Sequence, residues 1–268
     1  MIRPALDDLI ALALEAGAEI MAVRDAGFDA QTKRDGSPVT IADRRAEAII
    51  EAGLARLAPD IPMIGEEAAA DGRIPEIGPR FFCVDPLDGT KGFVAGGDEF
   101  TVNIALIEHG APILGVVFAP ATGEIYAGEP GLALRGRTPI KSARSTPPEA
   151  WRVIVSRHSG RDRRTKAFAT ALGAHTLAHA SSSIKFCRLA EGAADLYPRF
   201  GDVSEWDAAA GHAILAAAGG GAMGLDGAPL AYGARPGHKN SGDFLVHGFI
   251  AFASAPAAAA ALEALRKS

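Results

Sequence analysis

The chain has 268 residues, 48% of them hydrophobic and 22% charged, with a net charge of -5. This is a globular composition, long enough for one large domain or two modest ones. No dense Lys/Arg block is present, which argues against a surface that coats a nucleic-acid polymer and leaves a single nucleotide open as a substrate.

Residues 4–24 place Leu6, Leu9, Ile10, Ala13, Gly17, Ile20 and Met21 at helical spacing, so an amphipathic helix is expected there. Asp7 and Asp8 fall where a secretory apolar region would lie, and no signal peptide is expected. Gly27 to Pro38, with Lys33, Arg34, Asp35 and Gly36, reads as a polar loop. A second helix follows from Thr40 to Leu57 and is ended by Pro59. Thr40 and Asp43 stand three apart, an acidic variant of the capping box. Capping and a catalytic role are equally compatible with that spacing.

Ile61 to Gly65 is a short strand leading directly to Glu66-Glu67, and Gly72 to Pro79 is a loop. Arg80 to Val84 reads as a buried strand that must turn at Pro86. The run Asp85-Pro86-Leu87-Asp88-Gly89-Thr90 then sets two carboxylates three residues apart. Hard divalent cations such as Mg²⁺ take oxygen ligands from a few carboxylates together with substrate phosphate. Gly89 permits unusual torsions, and Thr90 to Ala95 opens a helix whose free N–H groups favour an anion. Asp88-Gly89 alone would be an ordinary turn; with Glu66-Glu67 it outlines a metal-assisted phosphoesterase.

Phe100 to Ile107 alternates as a half-buried strand does, with Asn103 on the opposite phase, and Pro112 to Ala119 and Glu124 to Ala127 are further strands. Lys141 to Ala150 is a linker, which divides the chain into subdomains 1–145 and 146–268. Beyond it, Arg152 to Val155 is a strand, Arg163 to Leu172, Ile184 to Glu191 and Glu205 to Ala218 are helices, Ala222-Met223 and Val246 to Phe252 are strands, and Pro256 to Leu265 is a final helix. The alternation argues for a layered α/β architecture. There is no internal repeat, and Gly219-Gly220-Gly221 lacks the context of a phosphate loop. The tail Phe249 to Ala261 is short and contains Pro256, so no transmembrane segment is expected. Cys83 and Cys187 sit in apolar contexts without CxxC spacing and read as reduced core thiols, as in a cytoplasmic protein; peripheral contact at the inner face of a membrane stays open.

Asp207, at the start of an apolar helix, serves either as a helix-dipole partner or as a distant ligand for a two-metal site. Ser182, Lys185 and Arg199 form a polar and basic group suited to a second phosphate.

Glu66-Glu67, the Asp85–Thr90 run and Trp206-Asp207-x-Ala-Ala-Gly211 together resemble the inositol monophosphatase superfamily over nearly the whole chain. Asp88-Gly89-Thr90-Lys91, Glu99 to Ile107, Leu114 to Val117, Ser182 to Cys187, Ala190-Glu191-Gly192 and Leu196 to Gly201 resemble its bisphosphate nucleotidase branch. The resemblance implies an αβαβα five-layer sandwich and a lithium-sensitive hydrolase with two to three Mg²⁺ ions. Its expected reaction removes the 3'-phosphate of adenosine 3',5'-bisphosphate, or of its sulfated precursor, to leave AMP or its sulfated counterpart. One ion would be held by Glu66, Asp85 and the carbonyl of Leu87, and a second by Asp85, Asp88 and Asp207. A third, weaker ion would sit at Glu67 or Glu66. Thr90, polarised by Asp43, would position water with Glu66 in the catalytic set. Gly89 and Thr90 would hold the phosphate, and Ser182, Lys185 and Arg199 the rest of the nucleotide beside Asp207. Relatives in this superfamily occur as monomers and homodimers.

Two positions depart from the pattern. Ala208 replaces a common Thr, and Ser156-Arg157-His158-Ser159 displaces a histidine by one residue, which weakens any contact of His158 with nucleotide. Two other readings compete: the same chemistry on an inositol phosphate or fructose 1,6-bisphosphate, and a non-catalytic nucleotide sensor. The complete carboxylate set argues against the sensor.

Overall fold

The computed structural model describes residues 3–33, 36–142, 147–157, 162–233 and 243–268. Helix α1 (Leu6–Ala26) is followed by a short hairpin, β1 (Ala30–Thr32) and β2 (Pro38–Thr40), and by α2 (Ile41–Leu57). Strand β1 lies inside the segment read above as a polar loop, and β2 begins at its last residue, Pro38. Strand β1 is exposed at all three residues and carries no apolar alternation to reveal it.

Strands β3 (Met63–Gly65), β4 (Arg80–Asp88), β5 (Thr101–Glu108), β6 (Ala111–Ala119), β7 (Glu124–Glu129), β8 (Leu132–Arg135) and β9 (Thr138–Pro139) form one sheet in sequence order. Its pairs are antiparallel except β3 with β4. Between the strands lie the short helices α3 (Glu66–Ala70) and α4 (Thr90–Val94). On one face Phe82, Val84, Val102, Ile104, Leu106 and Val116 meet Leu9, Ala13 and Ile20 of α1 and Ile50 and Leu54 of α2.

The second half supplies β10 (Trp151–Ser156), α5 (Arg163–Ala171), β11 (His175–Ala180), α6 (Ile184–Ala190), β12 (Leu196–Arg199), β13 (Val203–Ser204), α7 (Glu205–Ala217), β14 (Gly221–Gly224), β15 (Leu245–Val246), β16 (Phe249–Phe252) and α8 (Ala255–Lys267). A five-stranded sheet runs in the order β11-β10-β12-β16-β14, and β13 pairs with β15 apart from it. Phe168 of α5 and Ala257, Ala261 and Ala264 of α8 pack on its outer face with Val153, Leu196 and Ile250. Its inner face and the first sheet enclose α6 and α7, where Phe81, Cys83, Ala105, Val117 and Tyr126 meet Ala209, Ala210 and Ile214. The layers are therefore α, β, α, β, α.

This layering corrects two sequence expectations. Strand β5 is buried on both faces, because helices cover both sides of its sheet. Strand β4 does not end at Pro86; its pairing with β5 shifts register between Asp85 and Asp88, and the proline occupies that bulge. Helix α7 sits close to the first sheet because Gly115 and Gly128 present no side chain there. A Cβ at Gly115 would lie 2.3 Å from the carbonyl oxygen of Ala210, and one at Gly128 would lie 2.7 Å from Ile214 Cα. The linker residue Ser142 is buried and donates to the carbonyls of Ala218 (3.0 Å) or Ala253 (2.9 Å).

Candidate active site

The bulge in β4 shapes the centre of the site. Asp85 Oδ1 accepts the Leu87 N–H at 3.0 Å, which folds the Pro86 step back on its own carboxylate. Gly89 follows with φ 98°, a left-handed torsion, and a Cβ there would lie 2.5 Å from Ser182 Oγ. Conformation and space thus both demand glycine. Helix α4 starts at Thr90, as the sequence predicts.

Asp207 reaches this bulge from α7. Its Oδ2 accepts the Ser204 N–H at 2.8 Å, so it caps its own helix while facing the β4 aspartates. Ligand atoms of Asp85, Asp88 and Asp207 all lie within 4.8 Å of one another. Asp85 is buried and the other two are half-buried, which leaves one side of the cluster accessible. The Glu66 carboxylate stands close enough to Asp85 for their charges to repel. Lys33 Nζ donates to Glu66 Oε1 and Glu67 Oε1, each at 2.6 Å.

Asp43 makes both the capping contact and the Thr90 contact. Its Oδ2 accepts from Thr40 N and Thr40 Oγ1 at 2.7 Å each, closing the cap of α2. Its Oδ1 accepts from Thr90 Oγ1 at 3.0 Å, and the Leu87 carbonyl lies equally close to that hydroxyl.

The 181–185 segment is placed differently from the sequence expectation in detail. Ser182, at φ 53°, points its hydroxyl at the carbonyls of Asp88 (3.0 Å) and Glu99 (3.1 Å) and so pins backbone. Its neighbour Ser183, which sequence reasoning did not single out, meets the carboxylates: its Oγ donates to Asp88 Oδ2 (3.2 Å) or the Asp207 carbonyl (2.8 Å) and accepts from Asn103 Nδ2 (2.9 Å). Asn103, which the sequence leaves open between facing the site and pairing with a neighbouring strand, pairs directly with Asp85. Lys185 is buried, donates to the Ser182 carbonyl at 2.5 Å and lies 5.1 Å from the Tyr197 ring centroid. Arg199 donates to the carbonyls of Gly201 and Asp202. Ala208 is a packed core residue. His158 lies outside the described residues.

The electrostatics follow from this crowding of buried carboxylates. Burial raises the carboxyls of Asp85, Glu66 and Asp88 above their ordinary range, and Glu66 and Asp88 push Asp85 further up. Asp207 is pushed up to about 7 by burial, then Asp88, then Glu66. Glu67 is also pushed up to about 7, by burial and then Glu66. Burial depresses Lys185 to about 8 against the pull of Asp88, and Arg199 depresses it further. A desolvated all-oxygen set that repels itself, with no His or Cys among its donors, fits a hard divalent cation.

The model of the inositol monophosphatase family matches residues 3–260. The 3'(2'),5'-bisphosphate nucleotidase CysQ of Escherichia coli K12 is 44% identical over 245 residues, which cover 88% of this chain and 97% of that one. The crystal structure of CysQ from Bacteroides thetaiotaomicron superposes with a TM-score of 0.74 at 33% identity, covering 92% and 96% of the two chains. The suhB protein of Bartonella henselae gives a TM-score of 0.78 at 22% identity over 98% of each chain, a likeness of fold.

Proposed function

The chain belongs to the inositol monophosphatase family, and from that premise we propose that it is a Mg²⁺-dependent 3'(2'),5'-bisphosphate nucleotidase. Its reaction is hydrolysis of the 3'-phosphate of adenosine 3',5'-bisphosphate, or of the sulfated precursor, to leave AMP or its sulfated counterpart and phosphate. The observation that carries this reading is the meeting of Asp85, Asp88 and Asp207 within 4.8 Å beside two cations, Lys185 and Arg199, close enough to repel each other. The carboxylates suit the metals and the cations suit a second phosphate, which nucleotide bisphosphates carry and simple monoesters lack.

Glu66, Asp85 and the Leu87 carbonyl would hold one Mg²⁺, and Asp85, Asp88 and Asp207 a second. A third, at Glu67, would share its carboxylates with the Lys33 ammonium and bind more weakly. The ions supply charge neutralisation of the phosphate and acidify water. The protein supplies orientation. Thr90 Oγ commits its proton to Asp43 or the Leu87 carbonyl, so its lone pair accepts from a water and aims that oxygen at phosphorus. The N–H groups of Gly89 and Thr90 would hold the phosphoryl oxygens. Ser183 steadies Asp88 against Asp207, and Ser182 holds the Gly89 turn in place. Both cysteines are free and buried, as a reducing cytoplasm allows. Among the described residues no helix is long and apolar enough to cross a membrane.

The test is phosphate release with Mg²⁺ from adenosine 3',5'-bisphosphate, inositol 1-phosphate and fructose 1,6-bisphosphate, with and without Li⁺. The nucleotide should be strongly preferred and Li⁺ should inhibit. Lys185→Ala and Arg199→Ala should each weaken nucleotide turnover far more than turnover of inositol 1-phosphate. Equal losses on both substrates would defeat the specificity assignment, and loss of nothing in Asp88→Asn would defeat the metal assignment.

A further inference from the structure

A further carboxylate, used nowhere above, lies one helical turn beyond Asp43 on α2. Glu47 is only 3% exposed. Its Oε2 accepts the Glu67 N–H at 2.8 Å and its Oε1 the Ala68 N–H at 2.7 Å. Burial and the nearby Glu66 charge both disfavour an ionised carboxylate here, and the pair of N–H donors, helped by the Arg73 charge, opposes them. The fold also clears space for it. A Cβ on Gly65 would lie 2.6 Å from Glu47 Oε2, although the Gly65 backbone (φ -109°, ψ 150°) is open to any residue. That glycine is required by room and not by torsion.

We infer that Glu47 is a positioning residue: it fixes the Glu66–Glu67 and Glu67–Ala68 peptides and thereby sets where Glu66 and Glu67 present their carboxylates to the cations. Two successive turns of α2 then brace two parts of one reaction. Asp43 orients the water-positioning Thr90, and Glu47 orients the glutamates. A glutamine at 47 keeps the size but has one acceptor oxygen, and its amide would face the other N–H with a second donor.

The inference rests on the Mg²⁺ reading above and is tested separately from it. Titration calorimetry of Mg²⁺ into the metal-free full chain gives the first readout, and kcat and KM as functions of Mg²⁺ give the second. Glu47→Gln should raise the Mg²⁺ Kd about tenfold or more, the loss typical of a partner that orients a ligand. At saturating Mg²⁺, kcat should recover and the nucleotide KM should stay at its wild-type value. Gly65→Ala, which displaces the same carboxylate without removing a charge, should raise the Kd in the same way, and it takes over the test if Glu47→Gln does not fold. Wild-type binding with an unshifted Kd in the folded variants overturns the inference and leaves the metal reading intact. A kcat deficit that added Mg²⁺ does not recover also overturns it. Failure of the wild type itself to bind Mg²⁺ defeats the metal reading instead.

Discussion

Asp43 Oδ2 is taken by Thr40 N and Oγ1, so Oδ1 is the oxygen left for Thr90. The helix cap therefore fixes which way the carboxylate faces the site, and capping and function are one arrangement. Sequence spacing predicts the cap, because a Thr and an Asp three apart before an apolar run are local information. The Thr90 contact spans 47 residues and comes from the family resemblance alone. Ser183 shows the opposite case: in sequence it is indistinguishable from Ser182, and only the left-handed turn at Ser182 decides that one hydroxyl pins backbone while the other reaches Asp88. If Thr90 acts through its hydroxyl, Thr90→Ser should retain most of kcat, while Thr90→Val should lose about 10²-fold or more, the range for a positioned proton partner. Mg²⁺ affinity should hold in both, and Thr90→Val should lose about 1–3 kcal/mol of stability because it leaves the buried Asp43 Oδ1 without its donor. A Thr90→Val enzyme with normal kcat would show that the hydroxyl only closes the turn.

At the scale of elements, the strongly periodic segments are legible and the short or exposed ones are not. Helices α1, α2, α7 and α8 fall within a few residues of their expected bounds. Strand β11 carries no sequence signal because four of its six residues are exposed, and β12 carries a contrary one because Pro198 argues against a strand although it pairs with Ile250. The close seat of α7 was likewise hidden, since a glycine in a strand announces a near approach without naming what approaches. That seat carries Asp207 to the cluster, so a change at Gly115 is expected to reach the site. Gly115→Ala would force its methyl into the Ala210 carbonyl, 2.3 Å away. We expect a loss of about 1–3 kcal/mol, as for overpacking generally, together with weaker Mg²⁺ binding through displaced Asp207. Gly78→Ala, with nothing within 4 Å, should change stability by less than about 0.5 kcal/mol. Denaturant unfolding of both variants, each with a Mg²⁺ titration, checks the contrast; equal effects would mean that α7 yields freely.

At the scale of the whole molecule, folding gathers carboxylates from α3, β4 and α7 into one place, against their own repulsion. The five-layer order that does so is not written in periodicity, which tells only that each strand and helix must be covered. The resulting strain has a sign. Asp207 and Glu67, at about 7 in the fold, ionise near 4 when unfolded. Their contribution to stability is complete below about pH 4 and is lost as pH rises through about 7. His212, pushed down to about 4 by burial, runs the other way: its contribution is present above about pH 6.5 and lost as pH falls toward 4. The two trends overlap, so the pH profile of the metal-free protein does not separate them. Mg²⁺ does, because His212 is common to both conditions, whereas the cation needs the carboxylates ionised and relieves their repulsion. The rise in Tm on replacing EDTA with Mg²⁺ should therefore be larger at pH 8 than at pH 5. Asp207→Asn should melt higher than the wild type in EDTA at pH 8 and gain less from Mg²⁺. An equal Mg²⁺ shift at both pH values would mean that the cluster is not ionisation-limited. A lower melting point for Asp207→Asn in EDTA would mean that the cap on Ser204 outweighs the repulsion. The expected outcome follows from the cluster's geometry: the repulsion that burial imposes on the gathered carboxylates is what a bound cation would relieve.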